Sequence, residues 1–400
     1  MALTNTHKSY GGIAKVFHWM TALLILTAFP LGIIAQQLPF ETNDQLALKA
    51  TVFSAHKTIG VLAFFTALMR ILWAITQKRP GLLNAENKLE ATAAETAHWL
   101  LYGSMLAVPL TGWVHHAATE GFAPIWLPFG QSLPLVPKSE AVASVTASMH
   151  FLLIIVLGLT ILAHIGGALK HFVIDKDQTL QRMLPGRAPQ VDVEPHVRSL
   201  LPLSAALAIW AIAMVAGTFG GVFKSHDAPI ATVALQEVTS DWQVTSGDLT
   251  LEITQFGAPV AGSFGEWTAQ ISFEEQDIDG RHGDVTVEVA IGSLSLGSVT
   301  QQAMGNDFFN VATFPTATFQ ADILSDSDGD NQYIAEGTLT LKGATVPVTL
   351  PFVMEVDQNT ATMEGSVSLD RQDFGIGANM PDETNLGFGV DISVALQAQR

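Results

Sequence analysis

The stretch that most constrains this chain is the apolar run at residues 149–172, MHFLLIIVLGLTILAHIGGALKHF. A helix crosses the hydrocarbon core of a bilayer with about 20 residues at about 1.5 Å of rise each, so this run predicts a membrane-spanning helix. His150 and His164 lie on nearly the same face of that helix, about 21 Å apart. Ionisable groups inside a membrane are costly and usually functional. Two imidazoles in this arrangement can ligate two metal centres on opposite sides of the membrane.

The two halves of the chain differ in charge. Residues 1–220 carry 14 Lys and Arg against 11 Asp and Glu, whereas residues 221–400 carry 5 against 26. Only one of the 12 histidines, His282, follows His226. The acidic second half argues against nucleic acid as a partner. The sequence contains no cysteine, which excludes disulfides and thiolate metal sites.

Four further apolar runs are long enough to span a membrane, and they lie at residues 13–35, 52–76, 98–116 and 200–223. The first can also be read as a signal peptide, but it is longer than the apolar region of one. Counted in chain order, the run at 149–172 is the fourth of five. Basic residues concentrate between the second and third runs and after this fourth run. Because Lys and Arg favour cytoplasmic loops, the N-terminus is predicted to lie inside. Five spans then place the acidic half outside the cytoplasm.

This topology sorts four histidines into two depths. His18 and His164 fall near the cytoplasmic side, and His56 and His150 fall near the outer side. Two imidazoles from two helices at one depth match bis-axial ligation of a haem iron. Without cysteine, any haem here is held non-covalently. Each histidine taken alone could be an ordinary buried or interfacial side chain. Because four histidines form two pairs at two depths, haem ligation is favoured.

Other polar residues near these depths have two interpretations each. His171, His98 and Arg70 can contact a haem propionate or a quinone, or they can serve as interfacial residues that snorkel to the membrane surface. His115 and His116 end the third run at its outer side, where a solvated loop end is predicted.

Several motifs of this half resemble bacterial cytochrome b561: FHW at 17–19, AHKTIG at 55–60, LYGSMLAVPLTGW at 101–113 and HIGGALKHFVIDKDQTLQRMLPG at 164–186. The resemblance covers about residues 7–187. It implies a four-helix di-haem b protein of the inner membrane that exchanges electrons with quinone. By the same resemblance His18, His56, His150 and His164 are the haem axial ligands. The fifth run is an addition, interpreted as a structural anchor.

The acidic half has the alternating pattern of β-strands. Apolar residues recur at every second position in segments such as 285–291, 346–354 and 390–396. Short alternating strands separated by turns predict an antiparallel sandwich or barrel, and a strand at the C-terminus suits barrel closure. The segment SDSDGD at 325–330 suggests either a calcium loop or a solvated turn; it lacks the full spacing of a calcium loop, which favours the turn.

Three segments of this half resemble the YceI-like family: NDFFNVATFPTATF, EGTLTLKGATVPVTLPF and MEGSVSLDRQDFGIG. The resemblance covers roughly residues 232–398 and implies a lipocalin-like barrel that binds long polyisoprenoid chains, including quinone tails. A small barrel can be filled by its own side chains or can hold one ligand. Phe308, Phe309, Phe314 and Phe319 therefore belong either to a plain core or to a ligand site.

These observations predict a membrane all-α region, a four-helix di-haem bundle plus a fifth transmembrane helix, followed by an all-β antiparallel lipocalin-like barrel. The expected domains are residues 1–187, a linker and fifth helix at 188–224, and a periplasmic barrel at 225–400.

The expected cofactors are two haem b and ubiquinone, and the expected partners are quinone or quinol, a polyisoprenoid lipid in the barrel and membrane lipids. The expected function is electron exchange between quinones and another acceptor. The alternatives are a membrane-anchored lipid carrier and a cytochrome b subunit of a larger dehydrogenase or hydrogenase. An oligomer is compatible with any of them.

The distribution of Lys and Arg makes the topology testable. A reporter fused after Arg400 should be active when it requires the periplasm and inactive when it requires the cytoplasm. If the reporter that requires the cytoplasm were active and the one that requires the periplasm were inactive, the predicted five spans would be wrong.

Overall fold

The computed structural model describes residues 2–400 except 41, 120, 122, 187–188, 190, 192, 194–198, 225–232, 236–237, 279 and 327–330. Most of the predicted calcium loop or turn at 325–330 lies outside the described residues. The chain divides into two compact units. The first comprises Met1–Gln37, Thr51–Thr119 and Ile125–His226, and the second comprises Leu38–Ala50, Glu120–Pro124 and Asp227–Arg400.

The histidine-rich half is helical. Its helices are α1 (Gly12–Gln37), α2 (Asn43–Thr76), α3 (Lys88–Ala118), α4 (Glu140–Lys170), α5 (Thr179–Met183) and α6 (Leu201–Phe219). A π-helical turn, His171–Asp175, extends α4. Side-chain caps begin two of them, because Asn87 accepts a hydrogen bond from the Glu90 N–H and Ser139 accepts one from the Val142 N–H.

Four helices of the described residues are long and apolar enough to cross a membrane: α1, α2, α4 with its π-helical turn, and α6. The third predicted run lies within α3, which is not among the four by length and composition. The predicted all-α membrane region is therefore confirmed as a fold class.

Helix α6 packs closely against α3 and α4. A Cβ at Gly103 would collide with the Trp210 ring, and one at Gly217 would collide with Leu152. The Trp210 indole N–H also donates to the Ser104 hydroxyl at 3.2 Å. Small residues let helices approach in this way inside a membrane. The added fifth apolar run is thus an integral part of the helical unit.

The described residues of the acidic half form one ten-stranded antiparallel sheet. Its strands are β1 (Gln243–Gln255), β2 (Ala258–Phe264), β3 (Trp267–Ile278), β4 (Arg281–Ala290), β5 (Leu294–Ser295), β6 (Thr316–Ser325), β7 (Gln332–Leu341), β8 (Ala344–Asp357), β9 (Thr360–Asp370) and β10 (Leu386–Gln399), with a short helix α7 (Thr300–Ala303) after β5. The strand order is β3-β4-β6-β7-β8-β9-β10-β1-β2-β5. A bridge between Trp242 and Ile271 brings the start of β1 against β3, so the sheet curls on itself. The predicted lipocalin-like architecture is confirmed.

The apolar residues at every second position of the strands face the inside of the curled sheet. Leu251 pairs with Ile392 across β1 and β10, and both lie in one core cluster. The side chains leave an apolar cavity of about 290 Å³. Phe308, Phe309 and Phe319 line that cavity, whereas Phe314 packs beside Gly343.

Candidate functional site

Helices α2 and α4 bring His56 and His150 together. Their ring centroids are 6.4 Å apart, with an angle of 84° between the ring planes. The Nδ1 atom of His56 lies 2.8 Å from the Ala28 carbonyl oxygen on α1, and that of His150 lies 2.8 Å from the Val108 carbonyl oxygen on α3. A carbonyl only accepts, so each Nδ1 carries the proton. Each Nε2 is therefore left as the basic nitrogen that can bind a metal.

A glycine lies beside each of these two rings. A Cβ at Gly32 would come within 2.8 Å of His56 Cε1, and a Cβ at Gly112 would come within 2.9 Å of His150 Cε1. Each glycine lies four residues after the residue whose carbonyl accepts the imidazole N–H, so the two share one helix face. The glycines therefore form a cradle that any larger residue would fill.

Helices α1 and α4 bring His18 and His164 together. Their ring centroids are 6.2 Å apart, with an interplanar angle of 57°. The His98 ring lies 5.3 Å from the His164 ring, and Arg70 Nη2 lies 3.3 Å from His18 Nδ1. The Arg70 guanidinium also lies 5.3 Å from the Tyr102 ring centroid. A cation and a third imidazole thus adjoin this pair.

Both pairs have a spacing that fits one iron between two imidazoles. An imidazole nitrogen binds a transition metal at about 2.0–2.1 Å. Two rings on opposite faces of one metal ion then have centroids about 6 Å apart, which matches the observed 6.2 and 6.4 Å. The spacing, the Nδ1 hydrogen bonds of His56 and His150 and the glycine cradle all fit bis-histidine haem.

His171 lies in a cluster of carboxylates. The buried ring places Nδ1 at 2.6 Å from Asp177 Oδ2 and Nε2 at 3.7 Å from Glu90 Oε1. Lys170 forms ion pairs with Glu90 and Asp175. Glu90, His171 and Asp175 have the donor types of a metal site, but the Lys170 ammonium already supplies a cation to both carboxylates.

Asp177 is held as a carboxylate in this cluster. Its Oδ1 accepts a hydrogen bond from the Thr179 N–H at 2.7 Å, and Oδ2 contacts His171. Burial acts to raise the pKa of Asp177, but these hydrogen bonds outweigh it and the pKa is lowered. His171 thus has a fixed anionic partner at Nδ1.

The prediction of a solvated end for α3 is wrong at His116. This side chain is buried, with Nδ1 3.3 Å from Lys57 Nζ and Nε2 3.0 Å from Gln131 Oε1. His115 Nδ1 contacts the Ala143 carbonyl oxygen at 2.9 Å. The segment between α3 and α4 covers this helix end, and an arrangement of that kind has no local sequence signal.

The cavity of the curled sheet is a second candidate site. Its lining is almost entirely apolar, and the polar side chains among the described lining residues are Gln255, Gln302 and Arg371. An apolar cavity with a few placed polar groups is typical of a site for a hydrophobic small molecule.

Comparison with known proteins matches the helical half and the acidic half to two different family models. Residues 9–186 match the family model described as prokaryotic cytochrome b561, and residues 242–398 match the YceI-like domain. A solved structure of Burkholderia cenocepacia BcnA is 27% identical and covers 40% of this chain and 100% of its own, with a TM-score of 0.37.

Several curated proteins are similar to the helical half. Cytochrome b561 homolog 2 of Escherichia coli is 32% identical over 188 residues, which are 46% of this chain and 95% of the relative. A Yersinia pestis protein named probable superoxide oxidase CybB is 24% identical over 45% of this chain and 97% of its own length. The family carries b-type haem and transfers electrons in membranes. This chain, with its paired histidines on apolar helices, belongs to the prokaryotic cytochrome b561 family.

Proposed function

We propose that this protein is an inner-membrane di-haem b cytochrome that exchanges electrons between ubiquinol-type quinones and a second redox partner. We propose further that its barrel binds the isoprenoid chain of a quinone or a related lipid. The observation that carries the proposal is the pair of histidine pairs, His18 with His164 and His56 with His150, at ring separations of 6.2 and 6.4 Å.

Each side chain has a role in this proposal. His18 and His164 would hold the inner haem iron, and His56 and His150 would hold the outer one. Haem, when bound, supplies one-electron redox chemistry. The carbonyl groups of Ala28 and Val108 orient the outer ligands and increase their basicity.

The inner pair is the proposed quinone side. Arg70 and His98 adjoin its ligands and can contact a haem propionate or the quinone. His171, paired with Asp177, can exchange the protons that accompany quinone chemistry. The N-terminus is proposed to be cytoplasmic and the barrel periplasmic. The name of the Yersinia pestis relative makes superoxide a candidate for the second redox partner.

The ligand pairing predicts which substitutions act on the same haem. His56→Ala and His150→Ala should each lose one haem, and His18→Ala and His164→Ala should each lose the other. His115→Ala is the matched control, because its ring contacts a backbone carbonyl outside both pairs. Haem-to-protein ratio and low-temperature spectra of the purified variants measure the outcome. If His18→Ala and His56→Ala removed the same haem, the pairing would be wrong.

The glycine cradle predicts a second, smaller effect. Gly32→Ala and Gly112→Ala should weaken retention of the outer haem roughly tenfold, since overpacking costs about 1–3 kcal/mol. The inner haem is the internal control, because the atoms nearest a Cβ at Gly32 or Gly112 belong to His56 and His150 and not to His18 or His164. Haem loss to an excess of apomyoglobin gives the rates. Equal acceleration of the loss of both haems would count against the cradle.

The barrel proposal predicts a bound lipid that depends on the cavity. Ala335 lines the cavity and is buried, whereas Ala395 on β10 is exposed. Ala335→Phe should therefore reduce the isoprenoid that copurifies with the full chain, while Ala395→Phe should leave it unchanged. Organic extraction and mass spectrometry quantify it against haem. The same isoprenoid content in wild type and both variants would contradict ligand binding in the barrel.

A further inference from the structure

One residue of the cavity lining has a buried polar atom with no hydrogen-bond partner among the described residues. Gln255 is the last residue of β1, it lines the cavity, and the residue is 5% exposed. Its Oε1 atom accepts no hydrogen bond from any residue that the structure describes. An unsatisfied buried acceptor costs free energy and calls for an explanation. A ligand that donates a hydrogen bond would supply one.

Gln255 lies at a defined end of the barrel. It pairs with Leu386 of β10 and Ala258 of β2 in the sheet register. Leu386 packs with Leu46 and Met380 in a buried cluster. Asn43, whose backbone carbonyl accepts a hydrogen bond from the Asn385 amide at 3.1 Å, has a second buried side-chain oxygen without a partner in the described structure.

At the opposite end of the cavity, no unpartnered buried polar atom is found among the residues that the structure describes. Trp242 precedes β1, and its indole N–H already donates to the Phe273 carbonyl at 3.1 Å. The cavity is therefore apolar along its length and polar at the Gln255 end. This polarity matches a long hydrocarbon chain with one polar terminus.

The charge of the cavity limits what that terminus can be. Among the described lining residues Arg371 is the only charged one. Its Nε donates to the Gly387 carbonyl, and its two Nη atoms donate to four more carbonyls, those of Ile376, Gly377, Met380 and Leu386. All five guanidinium donors are thus engaged. A phosphate or diphosphate would find no free hydrogen-bond donor on this guanidinium, and burying its charge without hydrogen bonds is costly.

We propose that Gln255 is the head-group contact of the barrel and that it accepts a hydrogen bond from a neutral hydroxyl on an isoprenoid chain. A prenol and a quinol both carry that group, whereas a prenyl phosphate carries charge and an oxidised quinone carries only acceptors. This inference rests on the proposed function, namely that the barrel binds an isoprenoid chain.

Photo-cross-linking of the full-length protein in detergent tests this contact. The probe is a nonaprenyl alcohol with a diazirine in its tail, and mass spectrometry assigns the label to peptides of the cavity strands. The competitors are nonaprenol, its methyl ether, nonaprenyl diphosphate, and the oxidised and reduced forms of a nonaprenyl benzoquinone. The methyl ether keeps the chain and the oxygen but lacks the donor. The variants are Gln255→Leu and, as the matched control, Gln302→Leu, the other glutamine of the lining.

For the wild type, the alcohol should compete about tenfold better than its methyl ether, the factor that corresponds to about 1.4 kcal/mol. The quinol should likewise exceed the quinone, and the better of prenol and quinol identifies the source of the hydroxyl. Gln255→Leu should abolish the preference for the alcohol without weakening the ether, and Gln302→Leu should retain it.

Two results would overturn the contact while the barrel still binds: equal competition by alcohol and ether in the wild type, or strongest competition by the diphosphate. Neither depends on the folding of a variant. A preference that persists in Gln255→Leu would also overturn it. Absence of label from every barrel peptide of the wild type would instead remove the proposed ligand binding and this contact with it.

Discussion

The helical site depends on hydrogen bonds between an imidazole N–H and a backbone carbonyl of a neighbouring helix. His56 reaches the Ala28 carbonyl and His150 reaches the Val108 carbonyl, each at 2.8 Å. A helical carbonyl already accepts one N–H from four residues later and has a second lone pair to offer. In both helices that later residue is a glycine, and the missing Cβ leaves room for the ring. The same local arrangement on two helices fixes both tautomer and orientation.

The pairing of the histidines was predictable because it follows from two properties of the sequence, its helical periodicity and its distribution of charged residues. Helical periodicity fixes the face of His150 and His164, and the distribution of Lys and Arg fixes the expected depth of His18 and His56. The structure brings the same residues together in the same two pairs. The partners of their Nδ1 atoms were not predictable, since a carbonyl has no sequence signature. The role of the two glycines was not predictable either, because each lies beside a histidine ring that belongs to a different helix.

In the barrel, too, some features could be predicted from the sequence and others could not. Alternating apolar residues predicted the antiparallel architecture, because each strand must turn one face to a core. The polar end of the cavity was not predicted. It depends on a single inward glutamine on β1 and on Leu46, a residue more than 200 positions earlier in the chain that packs against Met380 and Leu386. Contacts between residues so far apart in the chain produce no periodic pattern in the sequence.

The central claim is that four histidines from three helices hold two b-type haems. The most direct test is haem quantification on the purified full-length protein, combined with electron paramagnetic resonance of its oxidised form. The account predicts two haem b per chain and two low-spin signals of equal intensity, both typical of bis-histidine ligation. A single haem per chain, or a signal from iron with only one histidine ligand, would contradict it.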